Sequence, residues 1–156
     1  MNEVLTGTAL ADSLRLERDA VKAFVEILQR EQKALIQGGG EALDSLASPK
    51  EQLVKQLADF GERRNQYLAS RSLARDGKGM DAWLMDNTAS AEWCDLLRLA
   101  RIAQQLNQTN GAIIETRLQN TQRAFAALQG AAGTAALYGP KGQTFGIGGR
   151  WAPGRI

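Results

Sequence analysis

Cys94 is the one thiol in a chain of 156 residues, and no residue of the chain is histidine. A reactive thiol needs a neighbouring cation or base to hold its thiolate. Cys94 instead stands between Trp93 and Asp95, so an incidental or packing cysteine is the reading its neighbours support. A lone cysteine also excludes an intrachain disulfide and a cysteine-cluster zinc site. The absence of histidine removes the commonest general base and the commonest neutral metal ligand. Two carboxylate pairs remain, Asp81 with Asp86 and Glu92 with Asp95. Proton transfer at neutral pH needs carboxyls desolvated in a cleft; Glu92 and Asp95 read as ordinary solvated-face residues, and nothing in the sequence predicts a cleft. The stretch from Gly133 to Lys141 has the wrong spacing for a phosphate loop, with Pro140 between its glycine and its lysine. No catalytic, cofactor-binding or metal-ligating set is expected, and the chain is not expected to be an enzyme.

Totals narrow the class further. The net charge of +2 is too small to argue for nucleic acid. No apolar run approaches the roughly 18 residues of a spanning helix, so membrane insertion is not expected. Met1-Asn2-Glu3-Val4-Leu5 lacks the basic start and apolar run of a signal peptide, and a cytoplasmic location is expected. Charge is uneven: the last acid is Glu115, beyond which lie only Arg117, Arg123, Lys141, Arg150 and Arg155.

With little chemistry to position, the elements themselves carry the information. Thr88 to Leu128 reads as one long amphipathic helix without proline. A stripe of three- and four-residue steps runs through Trp93, Leu97, Ala100, Gly111, Ile114, Leu118, Phe125 and Leu128, and also takes in Gln104, Asn107 and Thr121. A second row beside it carries Leu96, Leu99, Ala103, Leu106, Asn110 and Ile113. Such spacing supports a coiled-coil or bundle helix about 60 Å long. Asn107 and Asn110 interrupt these rows. They are either a solvated gap or a polar layer that sets helix register.

Thr8 to Gln37 carries the same signal in Leu14, Glu17, Val21, Phe24, Leu28, Glu31 and Leu35, and Gly38-Gly39-Gly40 stops it. Glu41 to Ala47 has room for one or two helical turns, and Ser48-Pro49-Lys50-Glu51 after it has the form of a capping box with proline at the first helical position. It predicts a helix from there to about Arg75, with the stripe Leu53, Leu57, Phe60, Arg64 and Tyr67 and Leu46 in front. Asp76-Gly77-Lys78-Gly79 reads as a turn and Met80 to Met85 as a short helix, with Asp86-Asn87-Thr88 offering caps for the long one.

Short links favour antiparallel neighbours. The expected fold is all-α: an elongated antiparallel bundle of about three long helices, residues 1–130, followed by a flexible glycine-rich C-terminal tail, residues 131–156. In that bundle Ala100 and Gly111 would allow close approach, and Trp93 and Phe125 would fill wider layers. Leu137, Tyr138, Phe145, Ile147, Trp151 and Ile156 make the tail apolar enough to dock on a partner.

Three stretches then carry a resemblance. Glu31-Gln32-Lys33-Ala34-Leu35-Ile36, followed by Lys50-Glu51-Gln52-Leu53 and Arg63-Arg64, forms the first. Leu106-Asn107-Gln108-Thr109-Asn110-Gly111 contains an Asn-x-x-Asn segment. Leu137-Tyr138-Gly139-Pro140-Lys141-Gly142-Gln143 is similar to a Tyr-Gly-x-x-Gly-Gln motif. In this order they resemble the FlgN family of flagellar type III export chaperones, with Lys141 where that motif often has an acid. The resemblance implies a cytoplasmic chaperone without a cofactor. It would bind the C-terminal helical segments of the hook-filament junction proteins FlgK and FlgL, prevent their premature association, and deliver them to the export gate protein FlhA. Client contact is expected on Ile114, Leu118, Phe125 and Leu128, and gate docking at Tyr138 and Gly139. The alternative is a self-associating structural coiled-coil protein, and weak homo-oligomerisation is compatible with either.

Overall fold

A computed structural model describes residues 7–86 and 89–133. Four helices account for most of them: α1 Gly7–Gln37, α2 Gly40–Ser70, α3 Gly77–Leu84 and α4 Ser90–Gly133. The fold is all-α, with three long helices and one short one among the described residues. Two compact units divide the chain, residues 1–113 and 114–156. The first holds α1, α2, α3 and the leading half of α4.

The stripe of α1 is buried as its spacing requires. Leu14, Glu17, Val21, Leu28 and Leu35 are buried, with Leu10 and Val25 beside them. The helix ends where the glycines begin. Gly38 adopts a left-handed φ of 74°, and the Gly39 N–H donates back to the Ala34 carbonyl at 2.9 Å. Only glycine takes that conformation without a Cβ penalty.

α2 departs from expectation. It starts at Gly40 and runs unbroken through Pro49 to Ser70, so Ser48 and Glu51 do not form a helix-starting box. The sequence contains the reason. Leu43, Leu46, Lys50, Leu53, Leu57, Phe60, Arg64 and Tyr67 continue one three-four stripe across the proline, and all are half-buried or buried. Tertiary pairing along that stripe outweighs the missing N–H of Pro49. The far end closes earlier than Arg75. Ser72 takes a left-handed φ of 57°, and the Leu73 N–H donates to the Leu68 carbonyl at 2.9 Å, a Schellman closure without its usual glycine.

The expected turn at residues 76–79 is instead the start of α3. The Asp76 carboxylate caps it by accepting from the Gly79 N–H at 3.1 Å. A Cβ on Gly79 would overlap the carbonyl of Ala74, so this glycine is required by close approach.

Partner residues fix the helix directions within the first unit. Arg64 of α2 pairs with Glu17 of α1, and Lys50 pairs with Glu31, so α1 and α2 are antiparallel. Arg15 meets Glu92, and Asn110 meets Leu28, so α4 runs the same way as α1. The main core joins Leu10, Leu14 and Val21 to Tyr67, Leu68, Met80, Trp83, Ala89, Trp93 and Leu96. α3 contributes Met80 and Trp83 to it. The Trp83 indole N–H donates to the Tyr67 hydroxyl at 3.2 Å, with the two rings edge to face at 6.0 Å. A smaller cluster of Val25, Leu28 and Ala103 follows along α1 and α4.

At the start of α4 both rows face inward, with Trp93 of the first and Leu96 of the second buried; further along, the second row is the inner one. Leu96, Ala103 and Asn110 are buried and Leu99 and Leu106 half-buried, whereas Gln104, Asn107 and Gly111 of the first row are exposed. The second row buries one amide, Asn110, whose Nδ2 finds two acceptors, whereas burying the first row there would desolvate both Gln104 and Asn107. Gly111 therefore faces open space, with nothing within 4 Å of an added Cβ, and does not serve close approach. α4 continues to Gly133, three residues into the stretch expected as tail. In the second unit its described part, residues 114–133, is a single helix.

Candidate functional site

Two polar layers cross the first unit, two heptads apart on both α1 and α2. In the first, the buried Glu17 carboxylate accepts from Arg64, and the Arg64 guanidinium lies 5.2 Å from the centre of the Trp93 ring. In the second, Lys50 donates to both oxygens of Glu31, at 2.8 and 3.1 Å. The Asn110 amide donates to the Leu28 carbonyl at 2.9 Å and to Glu31 at 3.0 Å. Each layer therefore links α1, α2 and α4. Such groups bond well in only one alignment of the helices. Asn110, 1% exposed, takes part in the second layer, while Asn107 is exposed and takes no part.

The residues that suggested chemistry are spread over the surface. Cys94, Asp81 and Asp86 are exposed. Asp95 lies 3.8 Å from Arg98. Glu92 stands in the first turn of α4. Hydrogen bonding from its own backbone N–H is the main cause that holds its carboxyl below the usual carboxylate range; burial opposes it, and the Arg15 guanidinium adds to it. Among the described residues no group of three or more potential ligands could hold a metal ion.

What the molecule does offer is apolar surface. In the second unit Ile114 and Leu118 are half-buried, and Phe125 and Leu128 are exposed at 41% and 65%. All four share one face of α4. Thr121 lies on that face too, and its hydroxyl is turned back to the Arg117 carbonyl at 2.9 Å, which occupies its polar group within the helix. Tyr138 and Gly139 lie outside the described residues.

A second apolar surface lies between α1 and α2 in the first unit. It is a groove of about 390 Å³, lined by Leu16, Ala20, Ala23, Leu53 and Phe60, with Gln56, Asp59 and Arg63 also on its walls. Reading α1 for its buried stripe alone misses this groove. Leu16, Ala20 and Ala23 form their own three-four row on another face, and that spacing is the signal.

Among the described residues no helix is long and apolar enough to cross a membrane. Comparison with curated proteins and with solved structures finds no match. The family model described as FlgN protein, in contrast, matches residues 1–145. That span takes in all four helices, the whole first unit and residues 114–145 of the second, and on it the chain belongs to the FlgN family, the family of flagellar export chaperones.

Proposed function

We propose that this chaperone serves the hook-filament junction proteins FlgK and FlgL in the cytoplasm, binding their C-terminal helical segments and delivering them to the export gate protein FlhA. The observation that carries the reading is the apolar face of α4 in residues 114–133, which ends in exposed Phe125 and Leu128. A disordered amphipathic segment that folds against such a face buries apolar area on both sides. It also loses ordering entropy, which keeps the complex releasable. The charge of this region suits an exported client with acidic flanks, because every charged side chain after Glu115 is basic. Work of this kind uses binding energy alone and calls for no cofactor and no catalytic group.

Client and gate contacts are assigned to different residues, so they separate by mutation. Phe125→Ala with Leu128→Ala should weaken client binding about ten-fold or more. Gate binding should be little changed by that pair and reduced by Tyr138→Ala. Client affinity unchanged by the α4 pair, or gate binding unchanged by Tyr138→Ala, would remove the corresponding half of the assignment.

A further inference from the structure

The layer of Glu31, Lys50 and Asn110 leaves one atom without a partner. Asn110 is 1% exposed, and its Nδ2 donates to the Leu28 carbonyl and to Glu31 Oε1. Its Oδ1 is buried and accepts from no group among the described residues. Turning the amide over does not repair this, because Oδ1 would then face the Leu28 carbonyl and the Glu31 carboxylate, which are both acceptors. A buried carbonyl oxygen without a donor is destabilising, and such atoms in native folds commonly mark bound water. Lys50 has a donor to spare. Its ammonium carries three N–H groups, and Glu31 Oε1 and Oε2 take two of them at 3.1 and 2.8 Å.

We infer that this layer is the binding site of one structural water, which accepts from Lys50 Nζ and donates to Asn110 Oδ1. The chemistry of the two ends selects the ligand. It must accept on one side and donate on the other. A metal cation is repelled by the ammonium, and an anion brings no proton to the amide oxygen and meets the Glu31 carboxylate. The geometry suits a single bridge. Glu31 Oε1 lies 3.1 Å from Nζ and 3.0 Å from Nδ2, so the ammonium and the amide gather round one oxygen. Asn110 also stands on a row that carries Leu96, Leu99 and Leu106. Its shorter side chain leaves space on the scale of one water, roughly 30 Å³. In this layer α2 and α4 otherwise meet through Glu31 of α1. The water joins them directly and closes a ring of hydrogen bonds across three helices.

A crystal structure of the full chain, at a resolution that shows ordered waters, tests this together with NMR cross-relaxation between water and the Asn110 side-chain amide protons. The expected density is one water within hydrogen-bond distance of both Asn110 Oδ1 and Lys50 Nζ. The expected cross-peak has the sign of a water that stays bound far longer than a surface water. Lys50→Met, at a half-buried position, removes the ammonium and leaves Asn110 with both its acceptors, and should abolish that cross-peak. A native chain in which Oδ1 bonds Nζ directly, or in which the amide shows no bound water, overturns the proposal. So does a water that persists unchanged in a folded Lys50→Met chain, because the lysine then has no part in holding it. The density and the first cross-peak are read on the native chain, so a variant that fails to fold does not shield the proposal.

Discussion

Asn110 and Gly79 show what single residues contribute here. Asn110 could be placed on an inner row from spacing, but its partners could not, because Leu28 and Glu31 lie about eighty positions away. Asn107 was indistinguishable from it by periodicity. Two adjacent rows share one helix side, and only the packing decides which turns inward. Gly79 looked like an ordinary turn glycine; the constraint comes from the Ala74 carbonyl, which the sequence cannot position. Gly79→Ala is expected to cost about 1–3 kcal/mol, read as a lower urea midpoint with an unchanged slope. At Glu92 the prediction concerns pH. Its folded-state pKa is depressed, so the stability it contributes is present above the unfolded carboxylate range and is lost as pH falls through the folded value. Glu92→Gln should lower the melting temperature at neutral pH, and the gap to the native chain should close in acid.

At the scale of elements, continuous patterns were legible and local punctuation misled. α1 followed its stripe and stopped at its glycines, because burial and local conformation agree there. α2 began well before its capping box because Leu43 and Leu46 keep the stripe in register ahead of Pro49, and packing outweighs a local signal. The proline should then be a standing cost. Pro49→Ala, at an exposed position inside the helix, is expected to stabilise the chain by up to about 3 kcal/mol. Gly111→Ala has open space for its methyl and should add about 1 kcal/mol. Thermal melts of the two variants check both. A destabilised Gly111→Ala chain would mean that something packs against that glycine.

For the whole molecule, helix class and the two-sided character of α4 could be read from spacing, and membership of the FlgN family from three short stretches in order. The α1–α2 groove was not read, since its row carries small residues that a search for large apolar side chains passes over. Both surfaces are apolar faces of helices. The central claim is that the face of Ile114, Leu118, Phe125 and Leu128 receives a junction-protein segment. It is tested most directly by calorimetric titration of the folded chain with the C-terminal segments of FlgK and FlgL at several temperatures. Saturable one-to-one binding with a negative heat-capacity change, weakened by Phe125→Ala with Leu128→Ala, is the predicted result. A folded chain that binds neither segment would contradict it.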